Sequence, residues 1–126
     1  MRILVCSWGN ICETPLELTL SDMGHDIVVL KERIRNKDYD ANYLKLLSDK
    51  LLDDRYDCVF SINYIPIISR ACNVCQIKYI SWTVDSPWFQ FHSDTISNNC
   101  KFLSIPPHDP IRIKFFTLYI CINSYE

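Results

Sequence analysis

Residues 2–30 read RILVCSWGNICETPLELTLSDMGHDIVVL, and this stretch decides the fold. Residues 3–6 are a short apolar run that reads as a strand, followed by the loop Ser7-Trp8-Gly9-Asn10. Thr14-Pro15-Leu16-Glu17 then has the pattern of a capping box: a threonine N-cap, proline at the first helical position, and glutamate three residues after the cap. The helix so predicted carries Leu16, Leu20 and Met23 on one face. It stops at Gly24, which adopts a left-handed C-terminal conformation without steric cost. Asp26-Ile27-Val28-Val29-Leu30 follows, β-branched and apolar on both faces, as expected of a strand covered by helices on each side of a parallel sheet. The unit is strand, loop, helix, strand.

The same alternation continues outward. Residues 41–53 place Tyr43, Leu44, Leu47, Leu51 and Leu52 at helical spacing, and residues 57–62 read as a third strand. Residues 65–74, with Pro66 in the first turn, predict a helix, residues 77–82 a fourth strand, residues 87–97 a short helix and residues 101–105 a fifth strand. Strands alternating with helices, joined by loops too long for hairpins, predict an α/β fold. It is a three-layer, Rossmann-like or flavodoxin-like, mainly parallel sheet with right-handed crossovers. Ligands bind outside the carboxyl ends of such strands, which singles out the loops at 7–12, 61–66 and 82–87. After residue 105 the pattern changes, because Pro106-Pro107-His108-Asp109-Pro110 breaks any helix. The expected organisation is a Rossmann-like domain over residues 1–105 and a divergent tail over 106–126. Residues 111–122 of that tail are either an extra strand or a loosely anchored apolar segment, an aggregation hazard if uncovered.

Composition narrows the function. At 126 residues with 48% hydrophobic content the chain fills about one domain. A formal charge of −2 and a pI near 5.9 give no general attraction for nucleic acid. Lys31, Arg33, Arg35 and Lys37 are the densest basic stretch, but Glu32 and Asp38 interrupt it and it reads as a solvated loop. No segment approaches the ~20 apolar residues of a membrane span and the first apolar run is short for a signal peptide, so a cytoplasmic location is expected. Seven cysteines, an odd number spread through core-forming segments, read as reduced and packed.

Specific chemistries fail one by one. A dinucleotide site needs several glycines after the first strand, and here Gly9 stands alone, so Glu32 near the end of the second strand is not a convincing ribose ligand. There is no Walker A sequence. A receiver-type cation site lacks its carboxylates, since strands one and three end in Cys6-Ser7-Trp8 and Ser61-Ile62-Asn63. A flavodoxin phosphate loop keeps some support from Ser7, Gly9, Asn10 and Thr14. Cys72 and Cys75 form a C-x-x-C pair at a helix end, where the macrodipole does not activate a thiol, and no second ligand pair accompanies them. His25, His92 and His108 lack metal spacing, and no serine sits in a nucleophile elbow. No cofactor and no metal are expected. The most informative stretch is Ser81-Trp82-Thr83-Val84-Asp85-Ser86-Pro87-Trp88, where a carboxylate lies between aromatic rings at a strand end. Aromatic faces stack on sugar C–H surfaces, and a carboxylate orients hydroxyls or takes their protons. Asp85 or Ser86 acting only as a cap for a helix begun by Pro87 is the alternative.

Three stretches together, residues 2–10, 61–66 and 81–87, resemble the N-terminal domain of spore-maturation-protein-like glycosyltransferases of the GT-B type. Gly24-His25-Asp26-Ile27-Val28 resembles the helix-to-second-strand turn of such enzymes, and the likeness covers about residues 1–105. The resemblance implies an acceptor-side domain whose donor-binding counterpart is absent, because two such domains need on the order of 300 residues. It places Ser7, Trp8, Gly9, Asn10, Asn63, Tyr64, Trp82 and Ser86 at the substrate cleft, with Asp85 as acceptor contact or base. The implied partners are a sugar acceptor and, only through a missing C-terminal domain, a nucleotide sugar. Activity from this chain alone is not expected, a truncated frame or fragment fits, and the tail offers a route to self-association. The rival expectation is a noncatalytic, flavodoxin-like module that binds a ligand or a protein.

Overall fold

The leading stretch folds into the expected β-α-β unit in a computed structural model that describes residues 1–84, 89–98, 101–105 and 118–122. β1 is Arg2–Ser7, α1 is Glu13–Asp22 and β2 is Asp26–Lys31. β1 and β2 pair in parallel, with Ile3 opposite Ile27, Leu4 opposite Val28 and Val5 opposite Val29. α2 (Ala41–Asp53), β3 (Cys58–Ile62), α3 (Pro66–Cys75) and β4 (Lys78–Thr83) follow in order. Two further strands, β5 (Lys101–Ile105) and β6 (Leu118–Ile122), complete a sheet of order β2-β1-β3-β4-β6-β5. The first four strands are parallel, and β6 runs antiparallel to both β4 and β5.

The order β2-β1-β3-β4 is the flavodoxin arrangement rather than the 3-2-1-4 of a dinucleotide fold, and its direction reverses between β1 and β3. Right-handed crossovers then put α1 on one face and α2 and α3 on the other. The burial pattern agrees. Strand alternation sends Leu4, Cys6, Val59 and Tyr79 into a core with Tyr43, Leu47 and Leu51 of α2 and Ile67, Ile68, Ala71 and Cys72 of α3. Ile3, Val5 and Cys58 point the other way, where Leu20 of α1 packs on them. Each fully buried aliphatic side chain contributes about 1.5–3 kcal/mol relative to exposure, so the α2–α3 face holds most of the stabilisation.

The termini of the helices follow from local chemistry, with some corrections. Asp40 caps α2 by accepting from the Tyr43 N–H at 3.0 Å. Pro66 occupies the first turn of α3 as expected, and Gln76 ends that helix at φ 56°. α1 begins two residues earlier than the capping box implies: Cys12 is its N-cap, without a side-chain bond, and Thr14 lies inside the helix. The reason is a turn at Asn10, whose carbonyl accepts from Glu13 N–H at 3.2 Å and whose Oδ1 accepts from Cys12 N–H at 2.9 Å. Gly24, at φ 86°, stops α1 as expected, but Met23 is 66% exposed and does not share the buried side of Leu16 and Leu20. Leu52 of α2 likewise points to solvent. Within the expected helix at 87–97, the described residues form two 3-10 turns, Phe89–His92 and Asp94–Asn98, and no α-helix.

Candidate functional site

The strand order reverses between β1 and β3, the place where α/β sheets bind ligands, and there the β1–α1 and β3–α3 loops meet at the carboxyl ends of the strands. Trp8 joins them: its indole Nε1–H donates to the Ile62 carbonyl at 2.7 Å. The Lys37 ammonium, from the loop before α2, stands 5.1 Å from the Trp8 ring centroid in cation–π geometry. Lys37 also accepts the Ile67 N–H through its carbonyl at 2.9 Å, which ties the same loop to the start of α3. Three connections that are distant in sequence are thus fastened at one rim.

Inside the β1–α1 loop the organising group is Glu13. It is only 4% exposed, and its carboxylate accepts from Ser7 Oγ at 2.5 Å, from the Trp8 N–H at 2.9 Å and from the Gly9 N–H at 3.3 Å. Gly9 at φ 100° allows the turn that aims these donors at one point. Ser7, Trp8 and Asn10 are half-buried and Gly9 is exposed.

Asn63 and Tyr64 sit beside this loop but are fully enclosed. Asn63 holds a left-handed backbone at φ 61°, which asparagine tolerates better than most residues. Its N–H donates to the Trp82 carbonyl at 2.8 Å, its Oδ1 accepts from the Val84 N–H at 2.9 Å, and its carbonyl accepts from Ser61 Oγ at 2.8 Å. Tyr64 N–H donates to Thr83 Oγ1 at 3.2 Å, and its hydroxyl pairs with Thr95 Oγ1 at 2.8 Å. Beneath them Tyr79 Oη pairs with Ser61 Oγ at 2.6 Å and accepts from the Ile65 N–H at 3.0 Å. Burial holds the Tyr79 and Tyr64 phenols above their usual range. This buried polar lattice fixes the ends of β3 and β4 relative to each other. Trp82, at 36% exposure, lies on the α1 side of β4, opposite to Tyr79, Ser81 and Thr83. Asp85 and Ser86 lie outside the described residues.

Among the described cysteines, Cys6, Cys58 and Cys72 are buried and Cys12 and Cys75 half-buried, all with free thiols. Burial pushes the Cys6 thiol up to about 12, and raises those of Cys58, Cys72 and Cys75. Among the described residues no three His, Cys, Asp or Glu side chains converge to hold a metal ion, and no helix is long and apolar enough to cross a membrane. A hollow of about 750 Å³ lies along α2, lined by Leu30, Asn42, Lys45, Leu46, Asp49 and Asp53 among others. Its charges are partly self-paired, with Lys45 Nζ 2.7 Å from Asp49 Oδ2, and neither Ser7, Trp8, Asn63 nor Trp82 lines it.

The sequence did not mark Glu13 as a site residue, and Lys37, expected in a solvated basic loop, instead stands over the Trp8 ring. Glu13 was hidden by the capping pattern at Thr14, which places it before the helix; only the earlier start of α1 puts its carboxylate in the first turn, where it complements the N-terminal dipole. Lys37 gave no signal, because its contact with Trp8 depends on how two distant loops fold together. The geometry defines the class: an α/β sheet domain of flavodoxin strand order with a fastened rim at its switch point. No protein-family model, no curated protein and no solved structure matches the chain.

Proposed function

We propose that this chain is the acceptor-side half of a GT-B-like glycosyl transfer system, inactive until a donor-binding half faces its rim. One observation carries the reading. Ser7 at the end of β1 with Trp8 just after it, Asn63 just after β3, and Trp82 near the end of β4 with Val84 just after it are drawn to one edge of the sheet by the bonds Trp8 Nε1–H to Ile62 O, Asn63 N–H to Trp82 O and Val84 N–H to Asn63 Oδ1. A hydroxylated ligand there would meet the half-buried Ser7 and Trp8, whose hydroxyl and ring suit it. Asn63 and Tyr64, being enclosed, act as supports that set the rim's shape. Asp85, following Val84 in the chain, remains the proposed acceptor contact or base. In the cytoplasm such a domain would meet its nucleotide sugar only through the other half.

Amide chemical shifts recorded while simple glycosides are titrated provide the test. Shifts clustered at Ser7, Trp8, Gly9 and Val84 are expected, and shifts confined to the hollow along α2 overturn the reading. Turnover of a nucleotide-sugar panel by this chain alone overturns the claim of incompleteness. The flavodoxin strand order favours a second reading, a noncatalytic binding module that uses the same edge. Binding of glycosides at the rim with no gain of transfer on adding donor-binding domains would favour it.

A further inference from the structure

Flavodoxin-like and dinucleotide folds direct the amides of the first loop toward a phosphate at the N-terminus of the first helix. Here the same kind of donor set is filled from within. Ser7 Oγ–H, Trp8 N–H and Gly9 N–H all end on the two carboxylate oxygens of Glu13, at 2.5, 2.9 and 3.3 Å. The next amide of the loop with a side-chain acceptor, Cys12 N–H, ends on Asn10 Oδ1, and the Trp8 indole ends on the Ile62 carbonyl. We infer that Glu13 is a resident anion that closes the β1–α1 loop to phosphate and makes the rim selective for uncharged, hydroxyl-bearing ligands. The specificity part rests on the acceptor-side reading above, whereas the closure of the loop does not.

Two physical effects act together. A phosphate entering the loop finds the Ser7 hydroxyl and the Trp8 and Gly9 amides already serving one carboxylate. It also meets that carboxylate, and like charges a few ångströms apart in a partly desolvated site repel strongly. A hydroxyl has neither difficulty. Ser7 Oγ, with its hydrogen directed to Glu13, retains acceptor lone pairs on a half-buried residue, so it favours a ligand that donates. A flavin or nucleotide phosphate is therefore excluded from this loop even though the strand order suits one.

Inorganic phosphate is the probe, read by amide shifts and by thermal denaturation. The wild-type chain is expected to show no movement of the Trp8 and Gly9 amides at millimolar phosphate and no rise in Tm beyond that given by chloride at equal ionic strength. Glu13→Ala frees the donors, and phosphate should then shift both amides and raise Tm. Saturable shifts at Trp8 and Gly9 in the wild type overturn the inference, as does a folded Glu13→Ala variant that ignores phosphate. Should that variant fail to fold, hydrogen exchange in the wild type and in Glu13→Gln still decides. The Trp8 and Gly9 amides must be protected in the wild type and the Gly9 amide must exchange faster in Glu13→Gln, while equal exchange in both refutes the role of the carboxylate. A wild-type chain inert to phosphate but also inert to glycosides would sink the acceptor reading alone.

Discussion

Replacing Asn63 by alanine should be among the most damaging single changes at the rim, although no charge and little apolar surface is lost. Two costs add. The Val84 N–H loses its acceptor at 2.9 Å in a half-buried position, and leaving such a donor unmatched costs about 1–3 kcal/mol. Alanine must also hold φ 61°, a region in which its Cβ crowds the following carbonyl, for roughly 1 kcal/mol more than asparagine. The sum is about 2–4 kcal/mol, a large share of the 5–15 kcal/mol typical of a domain. Asn63→Gly separates the two, since glycine accepts the left-handed backbone but still lacks the oxygen. It should recover about 0.5–1 kcal/mol relative to alanine after its own unfolded-state entropy is counted. Urea denaturation followed by tryptophan fluorescence reads both values. Hydrogen exchange should show lost protection at Val84 in each variant. An alanine variant within about 0.5 kcal/mol of wild type refutes the support role of Asn63, and a glycine variant no more stable than alanine refutes the backbone part.

Leu47 is fully buried between α2 and the sheet, so Leu47→Ala should cost about 2–5 kcal/mol by denaturant titration, whereas the exposed Leu52→Ala should fall within ~0.5 kcal/mol of wild type. With its thiol pushed up to about 12, Cys6 is ionised in roughly one molecule in ten thousand at pH 8. Iodoacetamide followed by peptide mass spectrometry should therefore leave Cys6, Cys58 and Cys72 unmodified in the native chain and label them in urea; native labelling of Cys6 contradicts its burial. Asp40 is held below the ordinary carboxylate range, first by the Tyr43 N–H and then by the Arg35 N–H. A depressed folded-state value stabilises the fold above the unfolded-state value near 3.9 and loses that contribution as pH falls through the folded one. The urea midpoint of wild type should thus exceed that of Asp40→Asn at pH 7, and the gap should narrow below about pH 4; a gap independent of pH removes Asp40 as the cause.

The hydrophobic pattern alone determined the succession of parallel strands and helices, because residues such as 26–30 are apolar on both faces and residues 41–53 on one, and these periodicities depend only on neighbours in sequence. Pro66 and Gly24 marked their helix ends for the same reason, as their backbone restrictions are local. The start of α1 did not follow, because Thr14-Pro15-Leu16-Glu17 satisfies a capping pattern that the turn at Asn10 overrides. The sequence also pointed to the loops at strands one, three and four, since strand ends can be found without knowing strand order. What only the tertiary structure decided was the order β2-β1-β3-β4 and the antiparallel entry of β6 beside β4. It likewise decided that Glu13 turns back on its own loop, that Lys37 covers Trp8 and that Asn63 is a strut. The physical reason is common to all of these. Each is set by hydrogen bonds and ring contacts, most of them between segments distant in the chain, and the pattern of apolar residues carries no record of which polar group will meet which.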